Sequence, residues 1–211
     1  MLNRGMFISL EGVEGCGKSI QAELLAEHVA KLGHSVIRTH EPGGTPIAEQ
    51  IREILLDPRN SDMAHIAELL LYLASRAQHV FQLILPALNE GKIVICERFS
   101  DATFAYQGYA RGLDLDHLKQ VNDIATGGLE PDLTLILDLD AADGLSRKQH
   151  DQRDRLENES VDFHNRVREA YLVIARQSPD RVQVIDATGS IEDIHLSIRE
   201  CVDQSLAVHS S

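Results

Sequence analysis

The run from Gly12 to Ser19, Gly-Val-Glu-Gly-Cys-Gly-Lys-Ser, fits G-x-x-x-x-G-K-[ST] and directly follows the apolar stretch from Met6 to Leu10. A strand feeding a glycine-rich turn into a helix aims several backbone N–H groups and a helix N-terminus at one point, where polyphosphate can sit. Gly12, Val13, Glu14, Gly15, Cys16 and Gly17 would form that cradle, with Lys18 reaching the outer phosphates and Ser19 offering its hydroxyl to a bridging Mg²⁺ ion. Ile20 opens the amphipathic stretch that continues to Leu32. A chance glycine-rich turn would need neither the strand before it nor the helix behind it. The motif points to a bound nucleoside triphosphate and leaves open what becomes of the phosphate.

The 211 residues suffice for one α/β domain and force no second. Lys and Arg number 20 against 33 Asp and Glu, a net charge of −13, which argues against a nucleic-acid partner and makes each cation near the loop worth tracing. No apolar run approaches the ~18 residues of a membrane span. The start, Met1-Leu-Asn-Arg4, carries no signal-peptide pattern, so the expectation is a cytoplasmic protein without a membrane partner. Cys16, Cys96 and Cys201 lack the spacing of a disulfide framework or a zinc site. Cys16 is read as a small loop filler, although a helix N-terminus can also activate a thiol.

Short β-rich runs at 6–10, 35–39, 93–96, 133–139 and 181–185 alternate with helical patterns. The helices are expected at about 19–32, 47–56, 64–89, 102–111, 116–126, 141–148, 160–176 and 191–206. This alternation predicts an α/β fold, a five-stranded parallel sheet flanked by helices with right-handed crossovers, in one domain over 1–211. Pro86 either kinks the third helix or marks the approach to its end. Two segments break the rhythm: the Gly- and Pro-rich run from Glu41 to Pro46, and the charged run 147–157. Both follow strands, and open parallel sheets bind ligands beyond the carboxyl ends of their strands. Arg98 follows the run 93–96, so its forked cation could hold a second phosphate beside the loop; a surface ion pair with Glu97 is the weaker alternative. Tyr72 and Arg76 stand four apart and share a helix face, and sequence alone favours Tyr72 as a core aromatic.

Taken in order, the stretch Glu11 to Ser19, Glu41-Pro-Gly-Gly-Thr45, the stretch Glu97 to Gly108 and Asp154-Arg-Leu-Glu157 carry a resemblance. They are similar to the P-loop, the E-P-G-G-T hallmark, the Asp-Arg box with its A-Y-Q, and the end of the lid in bacterial thymidylate kinases. The resemblance spans about 7–187. It implies P-loop nucleoside monophosphate kinase architecture with a small lid at about 147–157. It also implies transfer of the γ-phosphoryl of ATP to dTMP, giving dTDP and ADP for dTTP synthesis, in a homodimer packed through parts of 64–89 and 116–126.

The same resemblance implies roles for single residues. Arg98 and Arg52 face the acceptor phosphate, and Glu97, glutamate where aspartate is commoner, lies near Mg²⁺. Tyr72, where phenylalanine is usual, stacks on thymine; Arg76 donates to a thymine carbonyl, and Thr103 and Gln107 lie near the base edge. Tyr106 crowds the sugar 2′ position, Glu11 faces the 3′-hydroxyl, and Glu41 lies at or next to the acceptor. A carboxylate bonded to loop N–H groups is the alternative for Glu11. His40 stands where arginine is common. The loop positions Val13, Glu14, Gly15 and Cys16 hold no basic residue, whereas the lid offers Arg147, Lys148, Arg153 and Arg155. The chain thus looks like the lid-arginine type, with Arg153 and Arg147 the expected clamps on the transferring group. Asp186-Ala-Thr-Gly189 fits D-x-x-G but lacks an accompanying N-K-x-D, so it is not read as a GTPase switch. The rivals are a P-loop kinase for another (deoxy)nucleotide and an ATP-dependent switch protein.

Overall fold

The computed structural model describes residues 4–147 and 154–209. Five strands, β1 (Phe7–Glu11), β2 (Val36–His40), β3 (Ile93–Glu97), β4 (Leu133–Asp138) and β5 (Val182–Asp186), form one sheet in the order β2-β3-β1-β4-β5. Every pairing is parallel, with Ile8 of β1 opposite both Ile95 and Leu133. The crossovers carry α1 (Lys18–Lys31), α2 (Pro46–Leu56), α3 (His65–His79), α4 (Leu85–Asn89), α5 (Ser100–Thr103), α6 (Leu115–Thr126), α7 (Ala141–Ser146) and α8 (Val161–Gln177). The last helix, α9 (Ile191–His209), follows β5.

The central strands read as apolar runs because both of their faces are covered. Phe7, Val94 and Cys96 pack with Val80, Ile84, Leu88 and Phe99 on one face. Ile8, Leu10 and Ile95 join Leu25 and Val29 of α1 and Ile198 and Val202 of α9 in the larger core.

Two expected helices depart from regular winding. The pattern 64–89 continues past Pro86, but a π turn, Val80–Ile84, separates α3 from α4, and the Leu85 N–H bonds the Val80 carbonyl five residues back. A proline ring clashes with the carbonyl four residues earlier, and the wider turn directly before Pro86 relieves this. The pattern 102–111 begins earlier, as α5, and then runs as a π-helix over Phe104–Ala110. Periodicity could not distinguish these windings, since apolar positions repeat similarly over so few turns.

Candidate active site

The strand-loop-helix at the N-terminus is built as its sequence requires. Gly12, Gly15 and Gly17 have φ of 134°, 70° and 95°. A Cβ on Gly15 would overlap the carbonyl of Gly144 in α7, so the loop is closed from outside by a second backbone. Val13 and Cys16 turn their side chains into the core, leaving only their backbone for a ligand. Lys18 folds over the loop, donating to the carbonyls of Gly12 at 3.1 Å and Val13 at 2.8 Å. Ser19 Oγ donates to Glu97 Oε2 at 2.5 Å, so two oxygen ligands stand together on a cavity wall. No group of three His, Cys, Asp or Glu among the described residues could hold a metal alone. One hydroxyl and one carboxylate do fit Mg²⁺, which completes its shell with water and substrate phosphate.

Arg98, directly after β3, has φ 68°, in a region that non-glycine residues rarely enter. Its N–H bonds the Leu10 carbonyl, and its guanidinium donates to Gly12 O at 2.8 Å and Tyr171 Oη at 3.4 Å. It is also ion-paired with Glu14 and stacked on Tyr106, whose hydroxyl donates to Glu14 as well. Burial would lower the Arg98 pKa, but the Glu14 carboxylate holds it well above its ordinary value.

Glu11 is not on the cavity wall. It is fully buried in the floor, accepting from Phe99 N–H at 2.7 Å and Tyr171 Oη at 2.9 Å. Burial, reinforced by the charge of Asp101, pushes its pKa up to about 7. The expectation that it meets the acceptor sugar is corrected: residues of a strand alternate between faces, and Glu11 points into the sheet's covering layer. Glu14, three residues on in the loop, lines the cavity instead.

The Glu41 to Pro46 segment is a wall held from behind. Its Glu41–Pro42 bond is cis, and Gly44 has φ 83°, where a Cβ would overlap His79 Nε2 and Thr39 Oγ1. Glu41 accepts from Arg76 Nε at 2.7 Å and pairs with His79 Nδ1 at 3.1 Å. Burial would raise its pKa, but Arg76 and His79 hold it below the usual carboxylate value. Arg52 donates to the Pro42 carbonyl at 2.8 Å, and His40 pairs with Glu49 at 2.9 Å. Arg76 also bonds Asn122 Oδ1 and the Phe99 carbonyl.

These parts enclose one cavity of about 590 Å³. Its lining joins the loop residues Gly15, Gly17, Lys18, Ser19 and Ile20 to Glu41, Arg52, Tyr72, Arg76, Glu97 and Arg98, and to Thr103, Tyr106 and Gln107 of α5 and the π-helix. Arg147 reaches the same wall and donates to the Gly15 carbonyl at 3.2 Å. Arg153, the other expected clamp, and Lys148 lie outside the described residues. Arg155 is corrected: it is buried, bonded to Leu55 O at 2.8 Å and paired with Glu68 at 2.6 Å, so it anchors the lid's base and is no mobile cation. Asp154 and Glu157, read in the sequence as the ends of the lid motif, line the cavity, whereas Glu68, Tyr171 and Gly144 went unnoticed as contributors in the sequence. Only Glu68 left a signal, an acidic residue on the apolar face of α3.

A family model for thymidylate kinase matches residues 10–198. The chain belongs to the thymidylate kinase family. It is 53% identical over 195 residues to the thymidylate kinase of Syntrophotalea carbinolica, covering 89% of this chain and 90% of that one. It is 49% identical over 201 residues to that of Symbiobacterium thermophilum, covering 95% and 94%. The crystal structure of thymidylate kinase from Ehrlichia chaffeensis superposes with a TM-score of 0.79 at 33% identity, over 94% of this chain and 99% of that one. Membership makes this a dTMP kinase, which phosphorylates dTMP to dTDP for dTTP synthesis.

Proposed function

We propose that the γ-phosphoryl of ATP passes to the phosphate of dTMP inside this cavity, by the following division of labour. The loop amides and Lys18 hold the donor phosphates, and Arg98 with Arg52 holds the acceptor phosphate. Tyr72 stacks on the base, while Arg76, Thr103 and Gln107 read its edge. Glu14, bonded to Tyr106, takes the place beside the sugar that the sequence assigned to Glu11. Ser19 and Glu97 would hold Mg²⁺, which would offset the charge of the phosphates.

The observation that carries this is that the donor loop, the acceptor arginines and the base-edge residues all line one cavity of about 590 Å³. A phosphate monoester has its second pKa near about 6, so the acceptor is mostly dianionic at neutral pH and no general base is required. Catalysis is then alignment of two polyanions plus stabilisation of the transferring group. The Arg98 guanidinium is held for the first task by Gly12 O, Tyr171 Oη, Glu14 and the Tyr106 ring. Arg147, with Arg153, supplies the second from the lid.

A homodimer and a cytoplasmic location complete the proposal. Phe81 and Ile124, the most exposed apolar residues of the α3 to α6 region at 78% and 83%, support the first. Three free cysteines suit a reducing compartment, and no helix among the described residues is long and apolar enough to cross a membrane. The test is ADP release with and without dTMP. Release should require dTMP and stop when Mg²⁺ is chelated, and Arg98→Ala should lower kcat/KM for dTMP by about 10²–10³-fold with the fold retained. Hydrolysis of ATP without acceptor, or preference for dCMP or dUMP, would overturn the assignment.

A further inference from the structure

Glu68 is completely buried on α3, and no part of it lines the cavity. Its carboxylate accepts from Gln107 Nε2 at 2.9 Å, from Arg111 Nε at 3.3 Å and Nη2 at 3.2 Å, and pairs with Arg155 Nη1 at 2.6 Å. Burial would raise its pKa, but Gln107 and the two arginines hold it below the ordinary value, so it is ionised at neutral pH. An ionised carboxylate has no hydrogen to give. The end of the Gln107 amide facing Glu68 must therefore be its NH₂, a choice that electron density rarely makes but this partner does.

The carbonyl oxygen of Gln107 is then the end left for the cavity that Gln107 lines. Arg76 lines the same cavity with three nitrogens bonded to Glu41, Asn122 and the Phe99 carbonyl, which engages three of its five N–H groups. A donor beside an acceptor matches the imide edge of thymine, a carbonyl next to a ring N–H. Cytosine offers the reverse, an amino group next to a ring nitrogen lone pair, and would meet donor with donor and acceptor with acceptor.

We infer that Glu68 is a specificity-determining positioning residue: by fixing the Gln107 amide it makes the acceptor pocket read a ring N–H and reject aminopyrimidines. It does this without touching substrate, and it also ties the base reader to Arg155 at the foot of the lid. The inference rests on the placement of the base against Gln107 proposed above.

The test compares the full-length wild type, Glu68→Gln and Gln107→Leu for kcat/KM with dTMP and dCMP at saturating ATP. The wild type should prefer dTMP strongly; equal use of dCMP would overturn the inference. An amide at position 68 can give a hydrogen as well as accept one, so Gln107 is free to turn over. The dTMP-to-dCMP ratio should fall about tenfold or more, chiefly through KM. A purely structural role would depress both substrates alike and leave the ratio unchanged, which would sink the proposal. Gln107→Leu separates the two layers. If it leaves the ratio intact, the base does not meet Gln107 and the placement itself fails. If it collapses the ratio while Glu68→Gln preserves it, the placement stands and the role of Glu68 falls. Should Glu68→Gln not fold, Glu68→Asp keeps the charge for both arginines and withdraws the carboxylate from Gln107 by about 1.5 Å; the ratio is read in the same way.

Discussion

Arg98 at φ 68° is held where a side chain of its kind rests only at a cost of about 1–3 kcal/mol. Glu11 is part of what holds it, because its carboxylate takes the N–H of Phe99, the next residue, and the hydroxyl of Tyr171 that also meets the guanidinium. The arrangement has a consequence for stability. With its pKa raised from 4.5 to about 7, Glu11 in the folded chain keeps a proton that the unfolded chain has already released over that interval. Stability contributed by this site is therefore fully present below pH about 4.5 and is lost as pH rises through about 7, by on the order of 3 kcal/mol. Glu11→Gln cannot ionise and should remove that slope. Thermal melts of both proteins at pH 5 to 8 check this, and the variant should gain relative to the wild type as pH increases. Parallel curves would show that Glu11 does not titrate in this range.

Between elements, the glycine-rich loop and α7 approach each other backbone to backbone. A Cβ on Gly144 would overlap the carbonyl of Glu14, just as one on Gly15 would overlap that of Gly144. Gly144→Ala should thus push the loop aside, costing about 1–3 kcal/mol of stability as overpacking does and raising KM for ATP more than KM for dTMP. Calorimetry with steady-state kinetics measures both, and unchanged values would mean that the loop yields freely. Nothing at Gly144 in the sequence hints at this, because its neighbour is 129 positions away from it at Gly15. The loop itself was legible because a glycine-rich phosphate cradle is a local device, set by backbone angles within a few residues.

At the level of the whole molecule, Ile66, Leu70, Phe81 and Ile124 leave an apolar face on α3, the π turn and α6, each at least 55% exposed. In a two-fold dimer the same patch meets itself, so every substitution counts twice. Phe81→Glu combined with Ile124→Glu should yield a monomer by sedimentation velocity at micromolar concentration, while the wild type sediments as a dimer. A monomeric wild type would end the dimer reading.

Strand count, the parallel sense of the sheet and the glycine-rich loop could be read from the chain because they depend on period, local apolarity and a contiguous motif. Lys18, Ser19 and Arg98, singled out from their positions in or just beyond such motifs, and Gln107, singled out through the resemblance, all line the cavity. The face each side chain takes could not. Glu11 and Glu14 are both acidic and three residues apart, yet only packing decides that one lies beneath the sheet's end and the other in the cavity. Arg155 looked like its neighbours in a charged lid, and only the buried Glu68, 87 positions earlier, makes it an anchor. Local order follows from backbone geometry over a few residues, whereas the charge state and direction of a buried side chain depend on partners that only folding brings within hydrogen-bond reach.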